Sequence, residues 1–159
     1  MDRKRVNPDQ PVTFDVVGPP FDLPDLEDVT SVAAICRDDD GQMLVVQTGR
    51  GPDLPGGHME VGETRFEQTA KREALEEGLV DIDHLHVACL IRVTPSDPIA
   101  SDRAEPTSWM VIMSGRVTHL HPEQPGGDFV GREFMTPEAF LQVYQGDQDL
   151  MAAILGHAA

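Results

Sequence analysis

The sequence predicts an α/β fold with helices on both faces of a mixed β-sheet, an α/β/α sandwich. Short β-branched and aliphatic runs, bounded by glycine, proline and aspartate, recur along the chain and are typical of strands. One amphipathic helical pattern interrupts these runs, and two shorter helical patterns follow the last of them. A series of strands with one helix between them and helices at the end indicates helical layers packed on a sheet.

The strand predictions depend on residue type and on the turns between the runs. Residues 38–41, three aspartates and a glycine, separate two apolar runs and predict a hairpin turn, which we favour over a calcium-binding loop. The predicted strands are residues 12–17, 29–37, 42–48, 80–82, 87–93, 108–117 and 129–136.

The central helix is predicted from about residue 64 to Gly78, which we expect to be its C-cap. Phe66, Ala70 and Ala74 are spaced four residues apart and therefore share one face of this helix. Two of the three are alanine, so we expect the helix to lie close to the sheet. The closing helices are predicted at residues 137–144, with Thr136 as N-cap and Pro137 in the first turn, and at residues 147–156.

Length and charge limit the domain organisation and the partners. For 159 residues we expect one domain over residues 29–159. Residues 1–28 are predicted to form an irregular arm that could cover the core or contact a second subunit of a homodimer; a flexible tail is the alternative. The net charge of -16 argues against nucleic-acid binding and against an anionic membrane surface. It would also repel a polyphosphate unless divalent cations reverse the sign locally, so the acidic balance fits a metal requirement.

The remaining composition predicts a soluble, cytoplasmic protein. Cys36 and Cys89 lie in strand-like runs and are expected to be buried thiols without a disulfide. No apolar run reaches the roughly 18 residues that a membrane span requires, and no hydrophobic segment follows the basic N-terminus.

Several carboxylates are expected to converge beside the central helix. Glu73 and Glu77 are four residues apart, Glu76 lies one turn from Glu73, and Glu63 arrives from the preceding loop. Arg72 has the spacing at which a guanidinium can orient Glu76. Converging carboxylates repel each other unless a cation lies between them, and hard oxygen ligands select Mg2+, Mn2+ or Ca2+. Mg2+ recruits substrate phosphates, so the cluster indicates phosphate chemistry.

The segment from residue 54 to residue 80 resembles the Nudix box, G-x5-E-x7-R-E-U-x-E-E-x-G-U, where U is aliphatic. Gly57 and Glu63 match in spacing, and residues 72–77, Arg-Glu-Ala-Leu-Glu-Glu, match among themselves. Eight residues separate Glu63 from Arg72 where the pattern has seven, and Gly78 follows Glu77 directly where the pattern has one residue between. The two slips compensate, so Gly78, counted from Gly57 and Glu63, falls at the glycine position of the pattern.

Two interpretations of this slip remain open. In the first, the loop before the helix absorbs the extra residue and the helix ends one residue sooner. In the second, the backbone is unshifted and the glutamates are rotated by about 100° around the helix. The second puts the Glu73 carboxylate at a core-facing position, which is energetically costly, whereas the first keeps Ala74 inward. We favour the first.

The resemblance implies a Nudix fold and a Mg2+-dependent hydrolase, with Mn2+ as a substitute, that acts on a nucleoside diphosphate linked to another moiety. It implies metal binding by Glu73, Glu76 and Glu77, with Glu63 and the Gly57 carbonyl at the margin. Arg72 would orient Glu76. A glutamate of the box or Glu133 would accept the proton of the attacking water, with Asp128 as the substitute for Glu133. From its position Arg50 could reach a phosphate, and Trp109 could stack on a base; a solvent-facing arginine and a core-packing tryptophan are the alternatives.

The substrate is less determined than the chemistry. The position of Pro95 after the box resembles the ADP-ribose pyrophosphatase subgroup, which slightly favours ADP-ribose or a related nucleotide sugar. A housecleaning hydrolase of nucleoside triphosphates is the main competitor. A catalytically weak nucleotide-binding or regulatory module, suggested by the slip, and a non-hydrolytic isomerase are further alternatives. His84 with His86 and His119 with His121 form i, i+2 pairs, for which we favour a role other than metal binding.

Overall fold

The apolar runs of the sequence pair into one eight-stranded mixed sheet. A computed structural model describes residues 12–95, 107–124 and 126–158 of the chain. Its strands are β1 (Val12–Val17), β2 (Val29–Arg37), β3 (Met43–Thr48), β4 (Gly51–Asp53), β5 (Gly56–Gly57), β6 (Val80–Pro95), β7 (Ser108–Leu120) and β8 (Arg132–Met135), and its helices are α1 (Phe66–Gly78), α2 (Pro137–Val143) and α3 (Gln148–Gly156).

The sheet contains both parallel and antiparallel pairs, as the predicted fold class requires. Its main path runs β1-β6-β7-β2-β3-β4, while β5 pairs with β2 and β8 pairs with β3. The pair β2–β7 is parallel, and the other pairs are antiparallel. β2 pairs with β3, β5 and β7, so it fixes the position of the glycine turn at β5 relative to the rest of the sheet.

Alternation along the strands divides the core between the two faces of the sheet. On one face, Ala70 and Ala74 of α1 pack with Val32 of β2 and its neighbours. On the other face, Phe140 of α2 and Ile154 of α3 pack with residues that include Ile35, Met43 and Val45. The α/β/α sandwich is therefore confirmed. Cys36 and Cys89 are buried free thiols, and no helix among the described residues is long and apolar enough to cross a membrane.

Several strand bounds differ from the predicted ones, and β7 extends to Leu120 where residue 117 was predicted as its end. β6 is one strand over Val80–Pro95, where two were predicted, because irregularities in its pairing with β7 absorb the polar residues between them. β8 covers Arg132–Met135 and is shorter than predicted. β4 and β5 were not predicted, since two or three residues carry no periodicity. β1 (Val12–Val17) lies in the segment that was predicted to be an irregular arm, and every residue of β1 has a pairing partner on β6.

The ends of α1 show how the chain accommodates the slip. The helix begins at Phe66, and the Gln68 side chain accepts from the backbone N–H groups of Thr64 at 2.8 Å and of Arg65 at 3.1 Å. It ends at Gly78, and Leu79 takes the left-handed conformation, with φ 52°. The prediction that Gly78 supplies the cap is therefore wrong.

Leu79 occupies the position at which the Nudix pattern, aligned on the paired glutamates 76 and 77, has its glycine. A left-handed backbone costs an L-residue roughly 1–2 kcal/mol, a cost that glycine avoids. Gly78 has a different role, because a Cβ there would lie 2.9 Å from Leu44 Cδ2. The shifted glycine therefore permits close packing of α1 on β3, and the strain falls on Leu79.

Candidate active site

The orientation of α1 decides between the two interpretations of the slip. Ala74 is 0% exposed and lies in the core, whereas Leu75 is 42% exposed. Glu73 is only 9% exposed, but its carboxylate accepts a hydrogen bond from Arg72 and so is not left among apolar side chains. The helix therefore has the first register, in which the arginine and the three glutamates keep their relative positions.

Arg72 is the centre of a hydrogen-bond network. Its Nε and Nη2 donate to the two carboxylate oxygens of Glu63 at 3.1 and 3.2 Å, which is a bidentate pair. Its Nη1 donates to Glu73 Oε1 at 2.7 Å and to Glu76 Oε2 at 3.1 Å. Nη2 also donates to the His58 carbonyl at 2.8 Å. The hydrogen bond to Glu63, followed by the hydrogen bond to Glu73 and the charges of both carboxylates, raises the pKa of Arg72 although burial opposes this, so the guanidinium remains charged.

Glu63 is held as the partner of Arg72. Burial alone would raise the pKa of Glu63, but hydrogen bonds from Arg72, from the Glu60 backbone and from Thr69 outweigh it and lower the pKa. Glu63 Oε1 accepts from the Glu60 N–H at 2.6 Å and from the Thr69 hydroxyl at 3.1 Å. Both carboxylate oxygens are therefore engaged within the protein, and Glu63 ties the loop before α1 to the helix.

The glycine turn brings backbone atoms against the helix glutamates. β5 pairs with β2 at Val32 and Ala33, and a Cβ on Gly56 would lie 2.8 Å from the Ala33 backbone. A Cβ on Gly57 would overlap the Glu73 carboxylate. Each glycine therefore allows a contact that any side chain would block.

Glu77 and Glu73 form a pair of facing carboxylates. Glu77 Oε1 accepts from the Gly56 N–H at 2.8 Å. Burial, then the negative charge and hydrogen bond of Glu73 and the charge of Asp53, raise the pKa of Glu77 to about 7, although the Gly56 hydrogen bond opposes this. Two carboxylates so close share a proton or require a cation between them.

The glutamates line an open cavity of about 500 Å3. Of the predicted site residues, the structure brings together Gly57, Arg72, Glu73, Glu76 and Glu77 there, and Asp128 also lines it. Val130 lies at the same cavity and is 71% exposed.

Four predicted residues do not line the cavity, and one of them, Glu63, is the partner of Arg72. Glu133 pairs with Val45, whose side chain lies in the core under α2, so Glu133 faces the other side of the sheet. Arg50 is exposed in the turn before β4 and does not line the cavity. Trp109 is partly buried against the α1 core. No group of three or more potential metal ligands is found in the parts of the chain that the structure describes, and this includes the histidine pairs.

Asp53 does not line the cavity but lies close enough to Glu77 to affect its pKa, and the sequence did not indicate this. Burial raises the pKa of Asp53, against a hydrogen bond from the Leu54 N–H and the charge of Arg50. Its own charge contributes to the raised pKa of Glu77. This proximity arises because β4 pairs with β3, and no spacing in the sequence links residue 53 with residue 77. The glycines on either side of Arg50 are the only local sign of that hairpin.

The donor set fits a hard divalent cation. Glu73 and Glu77 offer closely spaced carboxylate oxygens, and the negative charge of Glu73 adds to burial in raising the pKa of Glu77. Glu76 Oε2 is held by Arg72. The described side chains form no complete cage for an ion, so waters and substrate phosphates would complete its coordination, as is usual for Mg2+.

This charge pair predicts a pH dependence of stability. The folded-state pKa of Glu77 lies above its ordinary value of 4.5, so its contribution to folding stability is full below that value and is lost as pH rises through about 7. We expect the Tm of the metal-free protein to fall relative to that of Glu77→Gln between about pH 5 and pH 8. We also expect Mg2+ to raise the wild-type Tm more at the higher pH.

Thermal unfolding with and without a chelator checks both expectations. The opposite contribution of Glu63, whose pKa is lowered, is present in both proteins and cancels in the comparison. Parallel curves of Tm against pH for wild type and Glu77→Gln would contradict the assigned charge pair.

Known proteins share this fold. The NUDIX domain family matches residues 28–154, whereas no curated protein matches the chain in sequence. A mutant of the pyrophosphohydrolase BsRppH from Bacillus subtilis is similar in structure, with TM-score 0.65 and 20% identity over 92% of this chain and 88% of that chain.

Two further solved structures are similar over most of their length. The NUDIX domain of Shewanella oneidensis NrtR, complexed with ADP ribose, has TM-score 0.59 and 17% identity over 81% of this chain and 87% of that chain. An ADP-ribose pyrophosphatase from Streptococcus suis has TM-score 0.54 and 19% identity over 80% of this chain and 89% of that chain. At these identities the likeness to the solved structures is one of fold.

Proposed function

The chain belongs to the Nudix family of pyrophosphate-bond hydrolases, and from this we propose that it cleaves a nucleoside diphosphate linked to another moiety. ADP-ribose or a related nucleotide sugar is the favoured substrate, and Mg2+ or Mn2+ the required ion. The observation that carries the proposal is the facing pair Glu73 and Glu77, held against the glycine turn at the cavity.

The residues at the cavity would bind the metal ions that an anionic substrate requires. Glu73, Glu76 and Glu77 would hold the metal, and Arg72 orients Glu73 and Glu76 through its Nη1. When bound, Mg2+ or Mn2+ neutralises pyrophosphate oxygens and lowers the pKa of a coordinated water. Without such ions, the glutamates and Asp128 would repel the substrate from this cavity.

Asp128 is our candidate to accept the proton of the attacking water. It lines the same cavity as the helix glutamates, whereas Glu133 lies on the other side of the sheet. We expect Asp128→Asn to lower kcat by about 10²-fold, the effect of a missing general base. The matched variant Glu133→Gln is expected to keep wild-type kcat. A loss in Glu133→Gln with full activity in Asp128→Asn would reverse the assignment.

The cavity and the similar structures support the substrate class. The volume of about 500 Å3 lies within the range of pockets for nucleotide-sized ligands. The exposed Val130 offers an apolar contact for a base or a ribose at the cavity. Two of the similar structures are of an ADP-ribose pyrophosphatase and of a domain complexed with ADP ribose.

A hydrolysis screen with Mg2+ and with Mn2+ tests the proposal. The substrates are ADP-ribose and other nucleotide sugars, dinucleoside polyphosphates and nucleoside triphosphates. We expect metal-dependent release of AMP from ADP-ribose at a higher kcat/KM than any triphosphate reaction. Preferential release of pyrophosphate from triphosphates would instead support the housecleaning activity. Saturable ADP-ribose binding without turnover under either ion would support the binding module.

A further inference from the structure

A second cavity, of about 460 Å3, lies at the end of β2 that is remote from the glycine turn. Ile35 and Ile112 belong to the core under α2 and α3. Arg37, Ser114 and Arg116 follow them at steps of two residues along β2 and β7, so they lie on the same face of the sheet. Within the described part of the chain, no residue of either closing helix lines this cavity.

The second cavity is separate from the candidate active site. The glycine turn pairs with β2 at Ala33, and Arg37 lies four residues further along the strand, about 13 Å at the rise of an extended chain. The helix glutamates lie on the α1 face of the sheet, while Arg37 and Arg116 lie on the opposite face. A ligand in one cavity would therefore not occupy the other.

Two arginines meet at this cavity in a strongly acidic protein. Arg37 and Arg116 are register partners on the parallel pair β2–β7, an arrangement of like charges that costs stability. Arg116 donates to Asp39 Oδ1 at 3.2 Å. Arg37 pairs with no carboxylate in the parts of the chain that the structure describes. Asp38 and Asp39 balance the formal charge of the two arginines at the cavity, but Arg37 has no direct ion pair among the described residues.

The acidic residues of the cavity are already engaged. Asp38 Oδ1 accepts from the backbone N–H groups of Asp40 at 3.0 Å and of Gln42 at 2.9 Å, which closes the hairpin turn. Asp39 is the partner of Arg116. Both carboxylates therefore have roles within the protein, and neither is placed as the partner of Arg37.

Two histidines add hydrogen-bond donors to the same cavity. The pairing of β6 with β7 shifts register between Asp83 and His86, and His84 adopts a positive φ of 55°. Asp83 Oδ1 accepts from the His84 N–H at 2.8 Å and so supports this conformation. Both His84 and His86 line the cavity, and each imidazole supplies an N–H donor in any protonation state.

We propose that this second cavity, between the hairpin turn and the irregular part of β6, binds a small phosphate-bearing molecule. The guanidinium groups of Arg37 and Arg116 match the several oxygens of a phosphate, and the imidazoles supply further donors. The bound anion would reduce the repulsion between the two register-paired arginines and would give Arg37 the anionic partner that it lacks among the described residues. This site is independent of the hydrolytic function proposed above.

Titration of the metal-free, chelator-treated protein with inorganic phosphate, followed by amide NMR shifts, tests the proposal. Without metal the active-site cavity is acidic and should not compete for phosphate. We expect saturable shifts at the amides of His84, His86, Gly115 and Arg116. We expect Arg37→Gln and Arg116→Gln each to weaken the affinity at least about tenfold, because each removes a charge-assisted donor.

Arg92→Gln is the matched control, since Arg92 is also an exposed arginine of this sheet and pairs with Asp15 at 3.6 Å. We expect it to bind phosphate as wild type does. The Arg116 side chain is 61% exposed, so we expect Arg116→Gln to fold. This variant then tests the proposal even if Arg37→Gln does not fold. Unsaturable or scattered shifts, equal weakening by Arg92→Gln, or equal affinity for acetate would overturn the proposal.

Discussion

Glu77→Gln should lower kcat by on the order of 10²- to 10³-fold with Mg2+, which corresponds to several kcal/mol of barrier. The amide oxygen can still accept the Gly56 N–H bond that the structure shows at 2.8 Å, so the turn should be kept. What is lost is one of the two facing negative charges that we propose bind the metal. Initial rates on the best substrate of the screen, with the Mg2+ concentration varied, measure this effect.

Glu67→Gln is the matched control for that experiment. Glu67 is on the same helix and pairs with Arg65 at 3.7 Å, away from the cavity. The Glu67→Gln variant loses the same single negative charge as Glu77→Gln and should retain wild-type kcat. If the two variants turned over substrate equally, Glu77 would have no part in the reaction.

Arg72→Ala should destabilise the protein by about 3–5 kcal/mol, the cost of removing one partner from a largely buried ion pair. The Arg72 side chain is 19% exposed, and its partners Glu63 and Glu73 are 12% and 11% exposed. Without the guanidinium, these carboxylates repel each other and the loop that Glu63 anchors is released. We expect activity to fall as well, since Glu73 and Glu76 lose their orientation.

Two variants make the Arg72 prediction specific. Lys71→Ala removes the neighbouring cation, which is half exposed and pairs with Asp83 at 3.7 Å, and should change stability little. Arg72→Lys keeps the charge but not the bidentate geometry, so its stability should lie between those of wild type and Arg72→Ala. Chemical denaturation gives the free energy of unfolding of each. An Arg72→Ala protein as stable as Lys71→Ala would show that the network contributes little.

Much of the candidate site follows from patterns that are local in sequence. The face shared by Phe66, Ala70 and Ala74 is set by helical periodicity, and the structure buries all three. The spacing of Arg72, Glu73, Glu76 and Glu77 likewise predicts neighbours on one helix. Helical spacing and the family resemblance are therefore sufficient to predict the glutamate cluster.

The assignment of residues outside the helix depended on strand pairing. Glu133 and Asp128 were both candidates, and only the pairing of β8 with β3 shows which lies at the cavity. The β3–β4 hairpin places Asp53 near enough to Glu77 for its charge to raise the pKa of Glu77. A shift of one residue in register moves a strand side chain to the other face, so such positions depend on the pairing itself.

By itself the sequence determined the α/β class, the helix that bears the glutamates and the glycine turn before it, because these depend on residues close together in the chain. Only the tertiary structure decided how the one-residue slip is absorbed. Burial of Ala74, pairing of Arg72 with Glu63 and the left-handed Leu79 all arise from packing α1 on the sheet. That packing selects one rotation of the helix, since the other would place a carboxylate in the apolar core.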